Sequence, residues 1–169
     1  MKYRLIKQKP HCCVPRCLQM IFARYGLNYD SQEDIGKELG LVNNKDSSFN
    51  CGTRIYEDRY SISNYFYRHN IPLSFEYHYI TDINVVNEFL ISNKDNDIIA
   101  CYKRGVMFNK IMDGGHATLI EDYKKGVVKL VYPEDEKGYR YVKLEDLILA
   151  IKSHDKKQMA GFWLIKKWH

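Results

Sequence analysis

No stretch of this sequence approaches the roughly 18 consecutive apolar residues that a membrane-spanning helix needs. The opening "MKYRLIKQKPH" also lacks the apolar core of about 7–15 residues that marks a secretory leader. These two absences predict a cytoplasmic chain with no membrane span, in a compartment where thiols stay reduced. Glycine-rich phosphate loops are missing, so no nucleotide or other cofactor is expected. Basic residues outnumber acidic ones, 26 to 21, but they are spread thinly and form no stripe. With no nucleic-acid-binding motif either, no nucleic-acid partner is expected. Repeats, low-complexity tracts and linkers are absent too, so residues 1–169 read as a single domain, a length that can bury a real core. Cysteine is present, but in odd number, five, which argues against a complete disulfide framework.

The sequence does carry an unusual density of aromatics, 14% of residues with 14 tyrosines. That density fits β-structure or a lined groove equally well. Apolar positions Val14, Cys17, Leu18, Ile21, Phe22 and Tyr25 repeat at helical spacing. Pro15 falls in the first turn, where a missing N–H is harmless, and Gly26 suits the stop. Ser31 followed by Asp34 predicts an N-cap for a short helix closed by Gly40. An Asn- and Ser-rich loop follows, then an aromatic, helical pattern over residues 55–69. After Pro72 the period changes: Leu73, Phe75, Tyr77 and Tyr79 alternate with polar residues, a strand. A helix is expected over about residues 82–92, with Thr81 as its N-cap. "DIIACYK" reads as a buried strand. "HATLIEDY" and "VVKLVYP" flank a glycine turn at Lys124-Lys125-Gly126, and "GYRYVKL", a helix over 144–151 and "GFWLIKKW" complete the chain. Helices first and an antiparallel sheet afterwards predict an α+β fold, with N-terminal helices packed on a C-terminal sheet.

Three cysteines crowd "QKPHCCVPRCLQMIF". As metal ligands they offer one knuckle, Cys13-x₃-Cys17, with no second pair, because Cys51 and Cys101 stand alone; no metal is expected. Cys17 lies on the apolar helical stripe and reads as core. Cys13 directly precedes a helix, where unpaired N–H groups favour a thiolate. A nucleophilic thiol needs a base, and His116 is the distinctive histidine of six: it follows Gly114-Gly115 and opens an apolar strand. Taken alone, it is as readily structural as catalytic. Gln8, five residues before Cys13, carries an amide able to donate to a developing oxyanion together with the Cys13 N–H.

In combination these motifs resemble the papain-like cysteine peptidases, closest to the branch that processes bacteriocin leaders after a double glycine, and to its stand-alone relatives. That branch carries Gln, a few residues, then Cys-Gly-x-Ala-x-Leu-x-Met-Ile. Here the stretch reads Gln8, then Cys13-Val14-Pro15-Arg16-Cys17-Leu18-Gln19-Met20-Ile21. Downstream the branch has Gly-His, two strands and Asp-Pro; here stand Gly115-His116, two strands and Tyr132-Pro133. The resemblance covers most of the chain. It implies a papain-like fold and a hydrolase that cleaves peptide or amide bonds in a peptide or protein substrate through a thioester. Cys13 is then the nucleophile, His116 the general base and acid, and Gln8 the oxyanion donor. Two positions depart from the pattern. Val14 replaces glycine, and Tyr132 replaces the Asp or Asn that orients the histidine, leaving Glu134 or Asp135 as candidates for that role. The same resemblance admits an acyltransferase, or an impaired module that binds peptides without cleaving them.

Overall fold

The computed structural model describes residues 2–42, 52–109, 114–133, 135 and 137–168. Among these the elements run α1 (Cys13–Arg24), α2 (Gln32–Glu38), α3 (Ile62–Arg68), β1 (Leu73–His78), α4 (Ile83–Ser92), β2 (Asp97–Lys103), α5 (Arg104–Phe108), β3 (Gly115–Lys124), β4 (Val127–Val131), β5 (Tyr139–Lys143), α6 (Leu144–Lys152) and β6 (Gly161–Lys167). The strands form one sheet in the order β1-β6-β2-β3-β4-β5, with every neighbouring pair antiparallel. The fold is α+β. No helix among the described residues is long and apolar enough to cross a membrane.

Local chemistry accounts for most boundaries. Ser31 accepts from the Asp34 N–H at 3.1 Å and starts α2, as its spacing predicts. The helix α4 is capped by Asp82, which accepts from Asn84 and Val85 N–H groups at 2.9 and 3.1 Å; the Thr81 cap expected from sequence is therefore one residue early. The aromatic stretch 55–69 divides. A 3₁₀ turn, Asp58–Tyr60, ends at Ser61, whose extended backbone caps α3. The β3–β4 turn has Lys125 and Gly126 both at positive φ, 49° and 77°, the pattern of a type I′ hairpin. The short α5 has no sequence period long enough to announce it.

The core divides into two clusters, one on each face of the sheet. Ile99, Cys101, Ala117 and Leu119 pack with α1, α2 and α3 in one cluster. Ile98, Ala100, Tyr102 and Ile120 pack with α4 and α6 in another. Helices therefore cover both faces. The reason is visible in β2, where six consecutive residues, Asp97 to Tyr102, are buried. A strand apolar on both sides requires cover on both sides.

Asp97, at the start of β2, is fully buried. It accepts from Tyr3 Oη at 2.6 Å and pairs with Arg24 at the end of α1 and with Lys2. One carboxylate thus ties the N-terminal segment, α1 and the central sheet. Removing one partner of such a group strands the others, at a cost of about 3–5 kcal/mol. Asp97→Ala is expected to lower unfolding free energy by about 3 kcal/mol in urea titrations, and Tyr3→Phe by about 1 kcal/mol. Equal, sub-kilocalorie effects would mean the network adds nothing beyond its surface pairs.

Candidate functional site

The approach to α1 is a turn in which the Cys12 N–H donates to the Lys9 carbonyl at 3.1 Å. His11 within it takes φ 60°. Cys12 then stands at the N-cap without a side-chain cap bond, and Cys13 is the first helical residue. The two adjacent thiols are not equivalent. Cys12 is 1% exposed with its sulfur 3.9 Å from the Gln32 carbonyl, and burial pushes its pKa up. Cys13 is half-buried at the edge of the first cluster. Cys17, one turn on, is fully enclosed, donates to the Ala117 carbonyl at 3.6 Å, and burial raises its pKa to about 11. Only Cys13 of these three combines an open first turn with access to solvent.

Gln8 lies in a segment clamped from α2. The Lys9 N–H donates to Gln32 Oε1, and Gln32 Nε2 donates to the Lys7 carbonyl, both at 2.9 Å. Gln8 Oε1 is buried with no hydrogen-bond partner among the described residues.

His116 sits opposite Tyr102 in the β2–β3 pairing. The residue before it lies close to His154: a Cβ on Gly115 would stand 2.5 Å from His154 Nε2 and would displace that ring. The imidazole is 6% exposed, and its centroid lies 5.9 Å from the Tyr102 ring and 5.6 Å from the Tyr132 ring. The two phenol oxygens are 3.3 Å apart. Burial first, then the charges of Arg16, Arg104 and Arg140, hold the imidazole neutral, its pKa well below the usual value. Arg16, on α1, is completely buried and donates to the Ala117 carbonyl at 3.4 Å. Arg140 donates twice to Asp135 and lies 4.5 Å over the Tyr132 ring. Arg104 lies 5.8 Å from the same ring.

The structure brings His116 and Tyr132 together, but as packed rings. The Tyr132 hydroxyl is engaged with Tyr102 and does not hold the imidazole. Asp135 serves Arg140, and Glu134 lies outside the described residues. Cys13 and His116 occupy adjoining elements, since Arg16 ties the first turn of α1 to the residue after His116. Their side chains look into different packing: Cys13 lies against the first cluster, which holds Cys17 and Cys101, whereas His116 is packed between Tyr102 and Tyr132. His116 Nε2 is buried without a hydrogen-bond partner among the described residues.

Sequence reasoning missed Arg16. The signal was present, because the resembling signature has alanine where Arg16 stands, and a charged residue on a buried helical face is rare unless paired. Among the described residues no three His, Cys, Asp or Glu side chains cluster closely enough to hold a metal ion. Neither a protein-family model nor a curated protein sequence matches the chain.

Enclosure of a neutral imidazole makes stability depend on pH. The unfolded chain takes up a proton near 6.5, while the native ring resists it. As pH falls below 6.5 the unfolded state binds the extra proton, and stability is lost until the lower native value is reached. His154, whose pKa is lowered by burial, acts in the same direction, so the informative quantity is a difference between variants. His116→Gln is expected to shallow the acid-side slope of unfolding free energy by up to about 1.4 kcal/mol per pH unit. An unchanged slope between pH 7.5 and 5 would show that the imidazole protonates freely in the fold.

Proposed function

We propose that this chain is a papain-like cysteine hydrolase that cleaves peptide or amide bonds through a thioester on Cys13. The observation that supports it most is that the accessible thiol at the open start of α1 is tied, three residues on, to the strand carrying a neutral imidazole. An imidazole kept neutral is in the form that accepts a proton. In this reading the Cys13 sulfur attacks the carbonyl carbon and its proton passes to His116. The Gln8 amide and the Cys13 N–H hold the oxyanion. His116 then gives the proton to the departing amine, and water resolves the thioester, or an acceptor amine does so in an acyltransferase. Proton transfer requires the thiol and the imidazole, which lie toward opposite faces of the β2–β3 pair, to meet at its open end as substrate enters; contacts between nucleophile and base often tighten only in the complex.

A second reading is favoured by the packing around His116. Tyr132 stands at the position where the resembling branch has an orienting Asp or Asn, and the buried Arg16 where it has alanine. This arrangement suits an impaired papain-like module that binds a peptide without cleaving it. Alkylation by iodoacetamide across pH, with sites read by mass spectrometry, separates the two. A hydrolase gives Cys13 labelling with a midpoint below that of free cysteine, peptide turnover that disappears in Cys13→Ala, and a loss of about 10²-fold or more in His116→Ala. Cys13 labelling no faster than free cysteine, with peptide binding intact in Cys13→Ala and no turnover in the parent, identifies the binding module.

A further inference from the structure

Lysines that are scattered along the sequence meet on one part of the sheet. Strand pairing sets two rows across β3, β4 and β5. Lys124, Val127 and Lys143 form one; Asp122, Lys129 and Tyr141 form the next. Cross-strand partners project to the same face, as do alternate residues of one strand. Val131 and Tyr139 carry this face on into the first cluster. Away from that cluster the face is open to solvent. Lys124, Lys143 and Asp122 are exposed, Tyr141 is 68% exposed and Val127 41%. Lys124, Lys129 and Lys143 form no ion pair among the described residues, and Lys129 lies 3.9 Å over the Tyr139 ring. Asp122, which shares the face, accepts from the Tyr123 N–H. No stripe of charge shows in the sequence because the three lysines come from three strands.

The open ring narrows the choice of partner. Tyr141 and Lys143 lie two residues apart on β5, about 7 Å, and the row from Lys124 to Lys143 spans two strand spacings, about 10 Å. Across such spans one base can lie on the Tyr141 ring while the phosphates beside it reach lysines. Stacking and charge offered together are what an unpaired nucleic-acid strand uses on a sheet surface. An acidic peptide would use the charge and leave the ring idle, and a duplex keeps its base faces stacked inside. We infer that Lys124, Lys129, Tyr141 and Lys143 form a binding surface for single-stranded nucleic acid. Bases stack on Tyr141, and the three lysines take the phosphates. The surface includes neither Cys13 nor His116 and is independent of the proposed hydrolase.

The test uses the full chain and fluorescence anisotropy over a series of salt concentrations. The probes are labelled single strands of about ten nucleotides, as RNA and as DNA, the matching duplex, and a polyglutamate of similar charge. The expected result is saturable binding of the single strands, with log K falling against log salt at a slope of about −2, the release expected for three phosphates. Lys124→Gln and Lys143→Gln each weaken binding and shallow that slope by about 0.7. Tyr141→Ala weakens it about tenfold with the slope unchanged, and Tyr141→Phe, which keeps the ring, restores it. These side chains are exposed, so each variant should melt with the parent, and a variant that does not is replaced by the corresponding Lys→Arg or Tyr→Phe comparison. Cys13→Ala binds as the parent does, so this surface and the proposed hydrolase fail or succeed separately. The tighter of the RNA and DNA strands names the source. Failure to bind at low salt, or binding unaltered by the lysine variants, overturns the surface. Duplex or polyglutamate held as tightly as the single strands, or indifference to Tyr141→Ala, overturns the assignment to single-stranded nucleic acid.

Discussion

Pairing of β2 with β3 and β6 is the constraint from which the rest of the molecule follows. Residues Ile98 to Cys101 lie between two hydrogen-bonded neighbours and are buried on both faces. A strand placed this way forces helices onto each side. It also decides what each face can do. Cys101 and Ala117 are partners that look toward α1, while Tyr102 and His116 are partners that look the other way. The alternation of side chains along two adjacent strands thus separates a thiol-rich side from an aromatic, cationic side.

Arg16 is the link between these sides. It grows from α1, among the residues of the first cluster, yet its charge acts on His116, Tyr102 and Tyr132. A fully buried cation is costly unless its donors are used, and its bond to the Ala117 carbonyl is one use. The consequence for the imidazole is electrostatic as well as steric. A histidine wrapped in phenols and arginines remains a neutral hydrogen-bonding group over the pH range where an exposed one would already be charged.

Much of the fold was legible in the sequence because its signals were local. The 3.6-residue stripe of α1, the Ser31 cap, the alternation after Pro72 and the glycine turn at Gly126 each depend on neighbours within a few residues. The two-sided cover of the sheet was readable in principle from the unbroken apolar run Ile98-Ile99-Ala100-Cys101. Strand order was not, because pairing of Leu73 with Lys167 leaves no local trace. At the candidate site, Cys13 stood out from Cys17 by preceding the helical stripe, and from Cys12 by its register with Leu18, Met20 and Ile21 in the resembling signature; the structure assigns the three thiols different environments. The surroundings of His116 escaped because Tyr102, Arg104 and Arg140 come from separate elements, and no spacing along the chain relates them.

Strand β6 is inserted between β1 and β2, although it is the last strand of the chain and β2 ends at Lys103, well before Gly161. During synthesis, β1 emerges long before the strand that joins it to the sheet. Until β6 is made, β1 has no hydrogen-bonded neighbour, and one edge of β2 presents unpaired backbone groups. Closure of such a sheet is a long-range event that comes late in folding. The nascent chain therefore carries an open seam through the middle of its future core, one that fits an extended segment of its own sequence and is exposed to any other strand that arrives first.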